Sequence, residues 1–132
     1  RAEALGVKLL LEPVNRYETH VANTLADAAD YIEVVGSDAL RITADFFHMN
    51  IEETDMAESI RQYGHLIGHV HMVDSNRFLP GQGHTDFSAA MKALKEVGYA
   101  GNLSLECFAR GEPEVVLPES VAFMRNLIKD AS

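Results

Sequence analysis

With 132 residues, 47% of them hydrophobic and 23% charged, the chain has the composition of a folded globular domain and not of a disordered or collagen-like protein. A formal net charge of -9 disfavours nucleic acid and anionic membrane surfaces as partners, because both are bound mainly through lysine and arginine. No apolar run approaches the roughly 20 residues that span a bilayer, no secretory signal opens the chain, and Cys107, a single cysteine, has no intrachain disulfide partner. We therefore expect a soluble, cytoplasmic protein.

Short apolar runs alternate along the sequence with longer amphipathic stretches, a pattern typical of a parallel sheet covered by helices. After a first turn that ends at Gly6, the first half predicts a strand over residues 7–14, a helix over 24–35 ended by Gly36, a strand over 40–46, a loop through Asn50 and a helix over 55–63. The second half predicts a strand over 67–73, a polar loop over 74–85, a helix over 86–97, a strand over 102–107 and a last helix after Pro118. The prediction is a single α/β domain over residues 1–132 with four βα units.

Four βα units of about 30 residues each correspond to half of an eightfold barrel, which needs about 250 residues in total. A free-standing open sheet of four strands is the alternative, and the hydrophobic pattern leaves the two equally open. The residues at the strand ends favour the barrel.

Each predicted strand carries, near its end, a residue of a type that binds metal ions, namely Glu12, Asp45, His71 and Glu106. One such carboxylate would indicate only a solvated or helix-capping group, but the carboxyl ends of parallel strands meet at one end of the sheet. Three carboxylates clustered there need a cation to offset the cost of their desolvation. Three oxygen donors and one imidazole suit an octahedral ion with two open positions, so one Mn²⁺ is expected, with Mg²⁺ or Co²⁺ as alternatives.

Several sequence segments have the order and spacing of a known enzyme family. They are LEPVNRYE at 11–18, DFFHMNIEE at 45–53, GHVH at 68–71 with NR at 76–77 and PGQG at 80–83, and the strand that ends at Glu106. Together they resemble the ketose 3-epimerases, the D-tagatose and D-allulose 3-epimerase group of the xylose-isomerase-like sugar isomerase and epimerase superfamily. Residues 44–47 and 83–87 depart from the pattern of many relatives, which leaves the exact sugar open.

The resemblance implies a fold and a set of roles for the candidate residues. The chain would be the C-terminal half of a (β/α)8 TIM barrel, completed either by a missing N-terminal half or by a second copy in a homodimer. The metal ligands would be Glu12, Asp45, His71 and Glu106, and the side chains that contact the sugar substrate would be Glu18, His48 and Arg77.

The activity that the resemblance implies is metal-dependent epimerisation of a ketose at C3 through a cis-enediolate. One of Glu12 and Glu106 would remove the C3 proton and the other would return a proton to the opposite face. An aldose-ketose or hydroxypyruvate isomerase and an inosose dehydratase are enzymatic alternatives on the same site, and an inactive metal-binding half-barrel is the alternative without activity. An apurinic endonuclease would need more histidines and a basic groove, which the charge of -9 disfavours.

Overall fold

The sheet of the computed structural model, which describes residues 1–131, has four parallel strands in the order β1-β2-β3-β4. The strands are Leu9–Leu11 (β1), Leu40–Asp45 (β2), Ile67–His71 (β3) and Leu103–Ser104 (β4). Because each strand lies beside the next one in the chain, every connection advances in the same direction across the sheet. A doubly wound open sheet reverses direction at a switch point, whereas a (β/α)8 barrel does not. The predicted parallel α/β fold is confirmed, with the strand order of a barrel.

Six α-helices connect and follow the strands within the described residues. They are Ala2–Leu5 (α1), Leu25–Val35 (α2), Phe46–Glu52 (α3), Met56–Tyr63 (α4), Ser88–Glu96 (α5) and Pro113–Asp130 (α6), and a short 3-10 turn, Gly64–Leu66, follows α4. α2 ends where predicted, because Gly36, with φ 64°, ends it, and it begins one residue later than predicted, because Thr24 is its N-cap and forms a capping box with Asp27. Between residues 1 and 131, no helix has both the length and the apolarity to cross a membrane.

The loop predicted through Asn50 is wrong, because residues 46–52 form α3. Asp45, the last residue of β2, is also the N-cap of this helix, and its Oδ1 accepts hydrogen bonds from the backbone N–H groups of Phe47 and His48. The side chain of a strand-end residue thus starts a helix with no intervening loop.

The start of the last helix is also predicted incorrectly. It begins at Pro113, where a proline fits because the first N–H of a helix has no intrahelical partner, and Pro118 lies inside it on the exposed surface. The first and fourth strands are shorter than the predicted 7–14 and 102–107, because only Leu9–Leu11 and Leu103–Ser104 pair with their neighbours. The centres of all four strands are nevertheless correct.

The two faces of the central strands have different surroundings. Ala44 and Val70 are opposite each other in the register and are fully buried in the core formed with α2, α4 and α5. Since side chains alternate along a strand, the neighbouring Asp45 and His71, which are also opposite each other, point to the other face. The register therefore brings an aspartate and a histidine together where β2 and β3 end.

Candidate metal centre

Four side chains of the types that bind metals converge at the carboxyl ends of the strands. Their ligand atoms all lie within 4.8 Å of one another, and the residues are Glu12, Asp45, His71 and Glu106. Nδ1 of His71 is 3.1 Å from Glu12 Oε1, 3.2 Å from Asp45 Oδ2 and 3.1 Å from Glu106 Oε2. The structure thus brings together all four residues that the sequence predicts as ligands.

The chemistry of this donor set fits a divalent cation. A single ring N–H can donate only one strong hydrogen bond, so His71 does not satisfy three carboxylate oxygens at once. Burial raises the pKa of Glu12, the nearby charges of Asp45 and Glu106 raise it further, and His71 opposes the increase. Three oxygen donors and one imidazole match the preferences of Mn²⁺, Mg²⁺ or Co²⁺ better than those of structural zinc, which favours thiolates.

Asp45 links the cluster to the start of α3. Its side chain is fully buried, with Oδ1 held by the two helical N–H groups and Oδ2 directed at His71. Because one oxygen is fixed by the helix, the other has a defined direction. The positive end of the helix dipole also stabilises the carboxylate.

Arg77 supplies a positive charge beside the three carboxylates. Its guanidinium lies 3.3 Å from Asp45 Oδ2 and 3.0 Å from Glu106 Oε2, and its Cζ is 4.8 Å from the centre of the Phe47 ring. The backbone of Arg77 has a φ of 64°, in the left-handed region that non-glycine residues seldom adopt. Such strain persists only where the surrounding structure enforces it.

The loop over residues 74–85, which carries Arg77, is organised by Asp74. This aspartate is 1% exposed, and its carboxylate accepts hydrogen bonds of 2.8–3.0 Å from the backbone N–H groups of Ser75, Gly81, Gly83 and Thr85. Burial alone would raise the pKa of Asp74, yet these hydrogen bonds hold it below its ordinary value. A Cβ at position 83 would overlap the Asp74 carboxylate, so the loop needs glycine there.

His48 and Glu18, the other predicted sugar contacts, adjoin the cluster. His48 lies on α3 and is 2% exposed, and its Nε2 is 3.2 Å from Arg77 Nη1. Burial lowers the pKa of His48, and the charge of Arg77 lowers it further against the opposing effect of Asp45. Glu18 lies in the exposed loop after β1, with its Oε1 4.0 Å from His48 Nδ1.

Sequence reasoning missed two residues of this region. Asn15 is buried between His48 and Glu18, and although it lies within the 11–18 segment, its partner His48 is 33 positions away in the sequence. Asp74 follows a buried strand and precedes a loop with two glycines, which was a usable signal for a carboxylate that binds backbone N–H groups. His69 lies outside the cluster, since its Nε2 is 2.7 Å from Ser104 Oγ.

Comparison with known proteins identifies the wider family. The family model described as Xylose isomerase-like TIM barrel matches residues 1–127. The chain is 44% identical over 129 residues to the L-ribulose 3-epimerase of Mesorhizobium japonicum, covering 98% of this chain and 43% of that protein. It is 41% identical over 107 residues to the D-psicose 3-epimerase of Enterocloster bolteae, covering 81% of this chain and 36% of that protein.

Solved structures agree with the sequence comparison. The apo structure of 3-keto-D-glucoside 4-epimerase from Escherichia coli superimposes with a TM-score of 0.91 at 39% identity, covering 95% of this chain and 48% of that chain. The resemblance to ketose 3-epimerases and the TIM-barrel fold class are thereby confirmed. In each of the three cases the chain spans less than half the length of its relative.

Proposed function

The chain belongs to the xylose isomerase-like TIM barrel family, and we propose that the full-length protein containing it epimerises a ketose at C3 with the help of one divalent metal ion. The observation that carries the proposal is the convergence of Glu12, Asp45, His71 and Glu106 at the ends of four consecutive strands. The names of the relatives, L-ribulose 3-epimerase and D-psicose 3-epimerase, supply the substrate class.

The four converging side chains would hold the metal, for which we propose Mn²⁺ ahead of Mg²⁺ or Co²⁺. A divalent cation bound there supplies a Lewis acid that stabilises negative charge on substrate oxygens. Asp45 is suited to permanent ligation, because Oδ1 is fixed by α3 and Oδ2 points at the cluster. His71 would contribute a neutral nitrogen to an otherwise anionic donor set.

Glu12 and Glu106 would act as the acid and base. They follow β1 and β4, the two outer strands of the described sheet, and so approach the cluster from opposite sides. One would take the proton from C3 of the ketose, and the other would deliver a proton to the opposite face of the same carbon.

Arg77, His48 and Glu18 would bind the oxygens of the sugar. The guanidinium of Arg77 would stabilise the charge that develops on the carbonyl oxygen when the C3 proton leaves. His48 would donate from Nε2 to a neighbouring oxygen, since its Nδ1 already accepts from Asn15. Glu18, at the exposed edge of the site, would accept from a hydroxyl at the C1 end.

For the whole protein, we propose that residues 1–132 are one half of a barrel whose other half provides four further βα units. A homodimer that closes the barrel is the alternative. We propose a cytoplasmic location, because Cys107 has no second cysteine in this chain with which to form a disulfide. Light scattering on the full-length protein and on the isolated chain would distinguish a barrel completed within one polypeptide from one completed by pairing.

A second candidate activity is epimerisation at C4 of a 3-keto sugar, favoured by the match to a structure named 3-keto-D-glucoside 4-epimerase. The chemistry is the same, because the proton again leaves a carbon beside a ketone. The departures at residues 44–47 and 83–87 concern the parts of the site that would distinguish the two substrates.

The test is to incubate the purified full-length protein and Mn²⁺ in D₂O with a panel of free ketoses and 3-keto glycosides. Conversion of a ketose to its C3 epimer, with deuterium entering at C3, is the expected result. Deuterium entering at C4 of a 3-keto sugar would favour the second candidate. Aldose formation or loss of water without epimerisation would contradict both and favour an isomerase or a dehydratase.

A further inference from the structure

Asn15 is a buried asparagine whose polar groups are all directed at the residues proposed to bind the sugar or at their loop. It is 2% exposed. Its backbone N–H donates to His48 Nδ1 over 3.1 Å, and its side-chain Nδ2 lies 2.9 Å from the same nitrogen and 2.8 Å from Glu18 Oε1. Its Oδ1 accepts from the backbone N–H of Tyr17 over 3.0 Å. One side chain thus bridges His48 and Glu18.

These contacts determine which nitrogen of His48 carries the proton. A side-chain amide can be assigned in either orientation, but a backbone N–H cannot be reversed. Since the backbone N–H of Asn15 donates to Nδ1, that nitrogen must carry a lone pair, and the proton of the neutral ring is on Nε2. The amide orientation agrees, because reversal would direct Oδ1 at the Glu18 carboxylate and Nδ2 at the N–H of Tyr17.

The tautomer of His48 decides whether its Nε2 can accept a hydrogen bond from Arg77. The nitrogens His48 Nε2 and Arg77 Nη1 are 3.2 Å apart, and with the ring proton on Nε2 both nitrogens are donors. Two donors do not bond to each other, so both are available to the same oxygen acceptor. The opposite tautomer would give Nε2 a lone pair that Arg77 could satisfy, and the donor for a substrate oxygen would be lost.

We propose that Asn15 is a positioning residue that holds His48 in the Nε2–H tautomer and holds Glu18 in place, and so determines which oxygen pattern of the substrate the site accepts. The proposal rests on the proposed function, in which His48 and Glu18 contact the sugar. Asn15 itself touches neither the sugar nor the metal ligands in this account, so its effect passes through the two side chains that it bridges.

The direct test is nitrogen NMR of the histidine rings in the ¹⁵N-labelled full-length protein, with Mg²⁺ as a diamagnetic ion. The His48 signals are assigned by their absence in His48→Gln. We expect a protonated Nε2 and a bare Nδ1 in the wild type and in Asn15→Ala, because the backbone N–H that donates to Nδ1 is present in both. A wild-type ring with its proton on Nδ1 would overturn the proposal, and this result requires no variant of Asn15 to fold.

Kinetics provide the second test. Asn15→Asp and Asn15→Ala should lower kcat/KM for the substrate by about 10- to 100-fold, the usual effect of removing a partner that orients a ligand-binding side chain, while Mn²⁺ affinity stays unchanged. Asn126→Asp on the exposed face of α6 is the matched control and should keep wild-type kinetics. Wild-type kcat/KM in both Asn15 variants would overturn the proposal.

A wild type that epimerises none of the panel sugars would refute the proposed function, whereas the tautomer of His48 would still test the role of Asn15.

Discussion

Asp45 and Asp74 are both 1% exposed, yet their surroundings are opposite in kind. Asp74 accepts hydrogen bonds from four backbone N–H groups, two on each oxygen. Asp45 uses one oxygen to cap α3, and its other oxygen faces a region shared with two further carboxylates and an imidazole. Backbone N–H groups compensate the buried charge of Asp74, whereas the second oxygen of Asp45 faces a place for a cation.

The difference separates a structural carboxylate from a candidate ligand. A carboxylate surrounded by N–H donors needs nothing more, and its role is to fix the loop that presents Arg77. A carboxylate grouped with others of the same charge repels them, and the raised pKa of Glu12 reflects this repulsion in addition to burial. Burial alone therefore does not identify a site, and the groups around each oxygen must be considered.

The largest expected effect concerns catalysis at the cluster. In the full-length protein, Glu106→Gln should lower kcat for epimerisation by about 10³-fold or more, because it removes a general acid or base. Glu112→Gln, an exposed position before α6, is the matched control. Steady-state kinetics with Mn²⁺ saturation would measure the change, and wild-type epimerisation by Glu106→Gln would refute the scheme with two bases.

A smaller effect is expected on folding stability, with a clear contrast between the two aspartates. Asp74→Asn should lower the free energy of unfolding by about 3 kcal/mol, because the new NH₂ group faces N–H donors that lose their acceptor. Asp45→Asn in the metal-free protein should lower it by less than about 1 kcal/mol, because asparagine is an equally good N-cap and the removal of one of three repelling charges offsets the lost contact with Arg77.

Urea unfolding of both variants and the wild type would measure this contrast. An equal loss of unfolding free energy in Asp45→Asn and Asp74→Asn would mean that the two carboxylates are compensated in the same way, which would contradict this contrast.

The pH dependence of stability should show a still smaller effect. The folded-state pKa of Asp74 is held below its ordinary value of 3.8, so its ionised form contributes stability above that pH. The contribution is lost as the pH falls through the folded-state pKa. The stability difference between wild type and Asp74→Asn should therefore be constant near neutral pH and shrink in acid, as urea titrations at a series of pH values would reveal. A difference that grows in acid would show that the pKa is raised instead.

Much of the fold and the clustering of the four strand-end side chains could be predicted from the sequence, because both depend on local patterns. Thr24 and Gly36 mark the ends of α2 through capping chemistry, and the strand-end positions of Asp45 and His71 follow from alternation along apolar strands. The carboxyl ends of parallel strands lie at the same end of the sheet, so the sequence alone indicates that these side chains are close together.

The features that could not be predicted depend on contacts between distant segments. The start of α3 is not evident from the sequence, because Asp45 is both the last residue of a strand and the N-cap of the helix that follows it. The left-handed backbone of Arg77 lies in a turn where the N–H of Arg77 donates to the carbonyl of Asp74 and the N–H of Asp74 donates to the carbonyl of Phe78, and no residue type signals it. The role of Asn15 depends on His48, which is 33 positions away in the sequence.

Calorimetric titration of Mn²⁺ into the full-length protein measures directly whether Glu12, Asp45, His71 and Glu106 form one metal site. We expect one ion bound per chain, and binding weaker by about 100-fold or more in Asp45→Asn, since loss of an outer-shell partner alone costs about 10- to 100-fold. Asp38→Asn, at a side chain that is 99% exposed, is the control and should bind as the wild type does. Equal Mn²⁺ affinity in the wild type and Asp45→Asn would contradict the account.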